Sequence, residues 1–266
     1  MGIIGSNTLS VIMHPSVIAR MALASSMLLL VNETTHAAAY ELTVYSDEIS
    51  APEETEVEVM YSLAKPRSKS VSTGRVSQLL GEMNYGIAKG WEVGIEIPAL
   101  IASSTRKVEG FALEVQYVAP HDKAGGWYWG GRSDIGRIVS LYEDDPALSL
   151  ELNPILGYRS TNYRFVFNPS IEKALNGKET TVRFHPSAKF SQRMTATDEL
   201  GFEYFADWGA VHQLSPPNKR DETLYFVWDK RTFFGRLNVG LGQPLRPTSG
   251  SADKWVAKVS LQFETD

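Results

Sequence analysis

The sequence predicts an all-β protein, a closed antiparallel transmembrane β-barrel of about twelve strands behind an N-terminal signal peptide. Three observations carry that expectation. Apolar and polar residues alternate in segment after segment, which gives each strand one apolar and one polar face. The segments are about nine to eleven residues long, the length a tilted strand needs to cross a bilayer. The connections alternate between short and long, as in bacterial barrels with short periplasmic turns and longer outer loops.

The chain has 266 residues, a net charge of −5 and no cysteine. Without cysteine there are no disulfides and no thiolate metal sites. Mild acidity argues against a nucleic-acid partner. Residues 1–39 read as a signal peptide: Arg20 precedes the apolar run from Met21 to Val31, and Ala37-Ala38-Ala39 offers small residues for cleavage after Ala39. The run spans about 11 residues, short of the roughly 20 a spanning helix needs. Residues 40–54 follow as a periplasmic lead-in or a plug, and residues 55–266 as the barrel.

Candidate strands run near 55–63, 75–86, 91–100, 109–118, 127–138, 147–157, 162–172, 181–192, 197–208, 221–229, 233–242 and 253–263. In the first, Val57, Val59, Tyr61 and Leu63 oppose Glu56, Glu58 and Ser62. The second carries Glu82. In the third, Trp91, Val93, Ile95 and Ile97 oppose Glu92, Gly94 and Glu96; in the fourth, Phe111, Leu113, Val115 and Tyr117 oppose Ala112, Glu114 and Gln116. The fifth is poor, because Gly130, Gly131 and Gly136 blur its phase, and the sixth adds Glu151. In the seventh, Tyr163, Phe165 and Phe167 oppose Arg164 and Asn168. In the eighth, Phe184, Ala188 and Phe190 oppose Arg183, His185, Ser187 and Lys189. In the ninth, Leu200, Phe202, Tyr204 and Trp208 oppose Glu199, Glu203 and Asp207. The tenth has aromatics on both faces, and in the eleventh Leu237, Val239 and Leu241 oppose Arg236 and Asn238. In the last, Trp255, Ala257, Val259, Leu261 and Phe263 oppose Lys254, Lys258, Ser260 and Gln262. In lipid such a sheet must close, because its edge N–H and C=O groups would otherwise stay unpaired.

Short connections fall at 88–90, 159–161, 195–196 and 230–232, with 119–126 as the exception; long ones include 64–74, 210–220 and 243–252. Trp91, Trp127, Trp208, Trp228 and Trp255 lie near strand ends, where membrane barrels carry aromatic girdles at the lipid interface. The same girdle opposes a soluble barrel turned inside out around a greasy ligand.

The polar face is charged. Glu56, Glu58, Glu82, Glu92, Glu96 and Glu114 make one acidic wall, and Arg164, Arg183, Lys189, Arg236, Lys254 and Lys258 make a basic arc, to which the ninth strand adds Glu203 and Asp207. Closure sets the twelfth strand beside the first, so Lys254 and Lys258 are expected to face Glu56 and Glu58. A lumen of this kind suits a diffusion pore or transporter for small polar or charged solutes. Ion pairs that simply fill a narrow barrel are the competing reading. Two other classes are open. One is a closed structural or adhesion barrel that binds a partner through its outer loops. The other is a lipid hydrolase using His185 and Ser187, two apart on one strand face. Their phase points inward while lipid chemistry needs them outward, and no third group is in place to orient the imidazole. No enzyme activity, metal or cofactor is therefore expected.

The segments from Tyr85 to Pro98, Glu114 to Pro120, Asn153-Pro154-Ile155-Leu156-Gly157 and Phe167-Asn168-Pro169-Ser170 resemble poorly characterised proteobacterial outer-membrane barrels, those grouped with the phenol-degradation MetA-like and transporter-like families. The likeness lies in hairpin style, notably Tyr85-Gly86, a turn, then Trp91-Glu92-Val93-Gly94. It implies an outer-membrane location, lipid around the barrel and the barrel-assembly machinery as a partner. The chain departs from those families at its end, where Phe263 is followed by Glu264-Thr265-Asp266.

Overall fold

The computed structural model describes residues 43–66, 77–101, 106–138, 148–177, 180–245 and 253–265. The expected signal peptide and most of the loops expected at 64–74 and 243–252 lie outside these residues.

Twelve long strands follow in chain order. They are β1 (Thr55–Pro66), β2 (Ser77–Ala88), β3 (Trp91–Ile101), β4 (Gly110–Val118), β5 (Gly126–Ile138), β6 (Leu148–Arg159), β7 (Tyr163–Ala174), β8 (Val182–Arg193), β9 (Asp198–Asp207), β10 (Asp221–Thr232), β11 (Gly235–Pro244) and β12 (Asp253–Thr265). Each pairs antiparallel with its neighbours in sequence, and β12 pairs with β1 over Thr55↔Thr265 to Lys65↔Trp255, which closes the sheet. This is a twelve-stranded up-and-down barrel with no free edge among its long strands. Several strands run two to three residues past their expected ends. Backbone pairing continues where the apolar alternation has already stopped, and periodicity registers only the latter.

One end of the barrel carries the tight turns. Gly90 closes the β2–β3 turn at φ 82°, and a Cβ there would sit 2.6 Å from the Val118 carbonyl oxygen, so the position suits glycine alone. The β10–β11 turn is Phe233-Phe234. The opposite end carries the long connections. In the β9–β10 connection, Gly209–Ala210 and Gln213–Leu214 form a small hairpin, Pro217–Lys219 a 3-10 turn, and Ala210 pairs back onto Arg183 of β8. The short strand Arg106–Val108 pairs with the end of β3.

The two faces differ as the alternation expects. Outward positions expose Met83, Phe111, Leu113, Trp129, Leu156, Phe165, Phe202, Phe226 and Leu241, with Trp127 as much as 73% exposed. An apolar exterior of this extent is intolerable in water and suits lipid. Inward positions bury Glu56, Glu82, Glu92, Glu114, Arg132, Asn153, Asn168, Ser187 and Glu203.

The interior is not polar throughout. Ala64, Tyr128, Ile155, Val166, Phe205, Tyr225, Val227 and Val256 are inward-facing and form one buried cluster. Val44, which precedes β1, completes it with Tyr45 packed alongside. Sheet alternation alone assigns every inward position to water; here an apolar insert from the chain itself gives those side chains something to bury against.

Candidate functional site

The inward face of the barrel carries many charged residues, and three ion-pair clusters organise them. The first lies on the acidic wall. Glu58, Glu82 and Glu96 are directly opposite one another across β1, β2 and β3, and Glu114 lies opposite Asp134 across β4 and β5. Like charges in cross-strand register repel. Arg132 of β5 answers them: its guanidinium lies 3.0 Å from Glu82, 2.8 Å from Asp134 and 3.8 Å from Glu96, and also pairs with Glu114. Carboxylate oxygens of Glu82, Glu96 and Glu114 all lie within 4.8 Å of one another, close enough to hold a cation, and the Arg132 guanidinium is that cation. Asn84 donates to Glu82 at 2.7 Å, and Asn153 to Asp134 at 3.0 Å.

The second cluster sits across the lumen. Lys189 of β8 reaches Glu203 at 2.8 Å and Asp229 at 2.9 Å, and Lys258 of β12 also pairs with Glu203. Lys258 lies 4.9 Å from the Phe205 ring centroid and 5.1 Å from that of Tyr225, a cation–π seat at the edge of the apolar cluster. The sequence placed Lys258 against Glu56 and Glu58. Instead, the register sets Lys258 opposite Ser62, and β12 offers Gln262 and Ser260 as hydrogen-bond donors to Glu56 and Glu58. Lys254 lies in β12, but its side chain is outside the described ones.

The third cluster is built on residues 43–50, which run inside the barrel, while residues 51–54 are exposed. The Arg132 guanidinium lies 4.2 Å from the Tyr45 ring centroid, so this segment touches the cation that pairs with the acidic wall. Asn168 donates to the Tyr45 carbonyl at 3.0 Å and Gln116 to that of Ser46 at 3.2 Å. Asp47 is fully buried between Arg159 at 2.6 Å and His121 at 2.9 Å. The Glu48 carboxylate receives both ends of the Arg164 fork at 2.9 Å, Arg236 at 2.9 Å and Arg231 at 3.2 Å, with Arg159 at 3.7 Å. Beyond it the Ser50 N–H donates to Glu92 at 2.6 Å, and Glu53 and Glu54 pair with the Gly86 backbone.

A cavity of about 270 Å³ opens between this segment and the wall, towards the short-turn end. Glu56, Glu58, Glu82 and Glu92 line one side with Arg132; Arg164, Lys189, Arg193, Arg231 and Arg236 line the other, with Glu48, Glu199, Glu203 and Asp229 among them. Sequence reasoning named Glu56, Glu58, Glu82, Glu92, Glu96, Glu114, Arg164, Lys189, Glu203, Arg236 and Lys258, and all eleven lie in these three clusters or along the cavity. It named Arg183 and Asp207 too; these pair with each other near the loop end, away from the cavity. It missed Arg132, Arg159, Arg231, Asp229, Asp47 and Glu48.

Of the tryptophans, Trp91, Trp127 and Trp228 sit on the short-turn half and Trp208 and Trp255 at the loop end. Trp91 packs on Tyr117 at 4.6 Å between ring centroids and Trp127 on Tyr158 at 5.2 Å, forming an exposed aromatic band. The Arg220 guanidinium lies 4.2 Å from the Trp208 ring centroid, which covers that indole. His185 and Ser187 face the lumen. The Ser187 hydroxyl donates to Asn168 at 3.3 Å, and the imidazole lies 3.6 Å from Glu172.

No family model matches the sequence, nor does any curated protein. The fold does have solved counterparts. An outer membrane channel from Pseudomonas putida F1 superposes with a TM-score of 0.64 at 12% identity, over 85% of this chain and all of that one. The NanC porin superposes with a TM-score of 0.54 at 9% identity, over 79% of this chain and 98% of that one. The chain has the fold of an outer-membrane channel barrel. The transporter-like side of the sequence resemblance agrees with that fold; no MetA-like family is matched.

Proposed function

We propose that this protein is a channel of the bacterial outer membrane that passes small polar or charged solutes by diffusion, with its short turns in the periplasm. The carrying observation is a cavity inside a closed, lipid-suited barrel, lined by Glu56, Glu58, Glu82 and Glu92 on one side and on the other by arginines and lysines interleaved with Glu48, Glu199, Glu203 and Asp229. Opposed charges set a transverse field across the path of a solute. The solved channel and porin with this fold support the reading. Replacing Glu56 and Glu92 by lysine is expected to move the reversal potential of bilayer currents towards anion preference; an unchanged potential would place the conduction path elsewhere.

A shut resting state is part of this reading. Val44 and Tyr45 join the apolar cluster inside the barrel, and residues 43–54 connect the acidic wall to the basic arc. A hydrolase finds no support: Ser187 is engaged with Asn168 on the lumen side and does not face lipid.

A further inference from the structure

The arginine cluster around Glu48 has the form of an occupied ligand site. Arg164 grips the Glu48 carboxylate with both arms of its guanidinium, each at 2.9 Å. This fork-to-fork geometry gives arginine its selectivity for planar carboxylates. Arg236 at 2.9 Å and Arg231 at 3.2 Å complete the ring of donors. These arginines come from β7, β10 and β11, so the closed barrel, and not the bound segment, sets their positions. The carboxylate they hold comes from the segment before β1, which belongs to no barrel strand. Glu48 also lines the cavity and keeps about one-fifth of its side chain exposed, with 58% of Arg231 exposed beside it. The ring can therefore be approached from the cavity while Glu48 is in place.

We infer that Arg164, Arg231 and Arg236 form a carboxylate-binding site for solutes of the channel, and that Glu48 fills it as an internal stand-in. An incoming carboxylate takes the place of Glu48 and loosens the segment that carries it. No covalent step is involved; one carboxylate replaces another on the same guanidinium groups. Arg164 also lies 3.6 Å from Glu199, which remains as its neighbour after the exchange. The inference rests on the channel reading for the source of the solute, but the site itself is tested by binding alone.

The probe is succinate, titrated calorimetrically into the refolded chain from residue 40 onward in detergent. Heat-modifiable gel mobility shows first that each variant is folded. Glu48→Gln removes the internal competitor, and succinate is expected to bind it at least tenfold more tightly than the parent protein. Adding Arg231→Gln is expected to abolish that gain. Asp122→Asn, which makes the same charge change on an exposed turn, should leave affinity unchanged. Equal affinity in Glu48→Gln and the parent, or no binding to either, overturns the inference. Should Glu48→Gln not fold, a Ser46→Cys variant serves in its place. Saturating succinate is then expected to raise its maleimide labelling several-fold, and unchanged labelling would overturn the inference equally. Succinate binding with no bilayer current would defeat the channel reading and leave the site standing. Bilayer current without any succinate binding to Glu48→Gln would do the reverse.

Discussion

Single side chains decide whether this lumen holds together. Arg132 is the clearest case, because four carboxylates converge on its guanidinium inside the barrel. Removing one partner of a buried ion cluster leaves uncompensated charge and typically costs about 3–5 kcal/mol. Arg132→Gln is therefore expected to lower the urea unfolding midpoint of the refolded protein strongly; a midpoint equal to that of the parent would mean the acidic wall is solvated and not paired. Glu48 sets the pH response. Burial pushes its carboxyl up, but Arg164, Arg236 and Arg159 outweigh burial and hold it well below the usual carboxylate range. Arg231 faces it as well, and Glu199 and Arg193 lie behind Arg164. With its folded pKa lowered, the contribution of Glu48 to docking is complete above the unfolded value of about 4.3. It is lost as pH falls through the lower folded value. Amides of residues 43–50 are thus expected to stay protected from hydrogen exchange from neutral pH to mildly acidic pH and to open only below about 4.3. Release already close to neutral pH would contradict this.

Elements were easier to foresee than side-chain partners. All twelve long strands were legible, the fifth least clearly, because most outward rows are apolar, as in Phe111, Leu113 and Val115, and lipid favours such a row where a strand crosses. The lumen imposes no comparable rule. Ile155, Val166 and Val227 sit at inward positions that alternation alone would give to water, and they are buried in one cluster with Tyr128, Phe205, Tyr225 and Val44. Arg132 was missed because Gly130, Gly131 and Gly136 hide the phase of β5. Those glycines and their neighbours have packing roles that periodicity does not express. Gly157 of β6 faces Tyr128 of β5, and any Cβ there would run into the Tyr128 ring. A large aromatic laid over a bare glycine on the next strand is a recognised way to pin register. Gly157→Val is expected to block formation of the heat-modifiable barrel, and a simultaneous Tyr128→Ala to restore a good part of it. Equal folding of Gly157→Val and parent would rule out this contact as a register pin.

At the scale of the whole molecule, the twelve-stranded wall forms a shell and residues 43–54 decide what the shell does. The closed pairing of β12 with β1 leaves the interior as the only route for a polar solute. Within it, one short segment places Tyr45 against Arg132 and Glu48 against the arginines of the basic arc. The sequence allowed that segment to be either a lead-in or a plug, since nothing in its periodicity says where it goes; Asp47 and Glu48 acquire meaning only once Arg159, Arg164, Arg231 and Arg236 converge from four strands. The decisive experiment is single-channel recording of the refolded protein with and without residues 43–54 in planar bilayers. Rare, small, salt-dependent steps from the intact chain and larger, more frequent steps from the truncated one are expected. Two equally silent, membrane-inserted, heat-modifiable barrels would show that the lumen is filled by its own side chains and that this is not a channel.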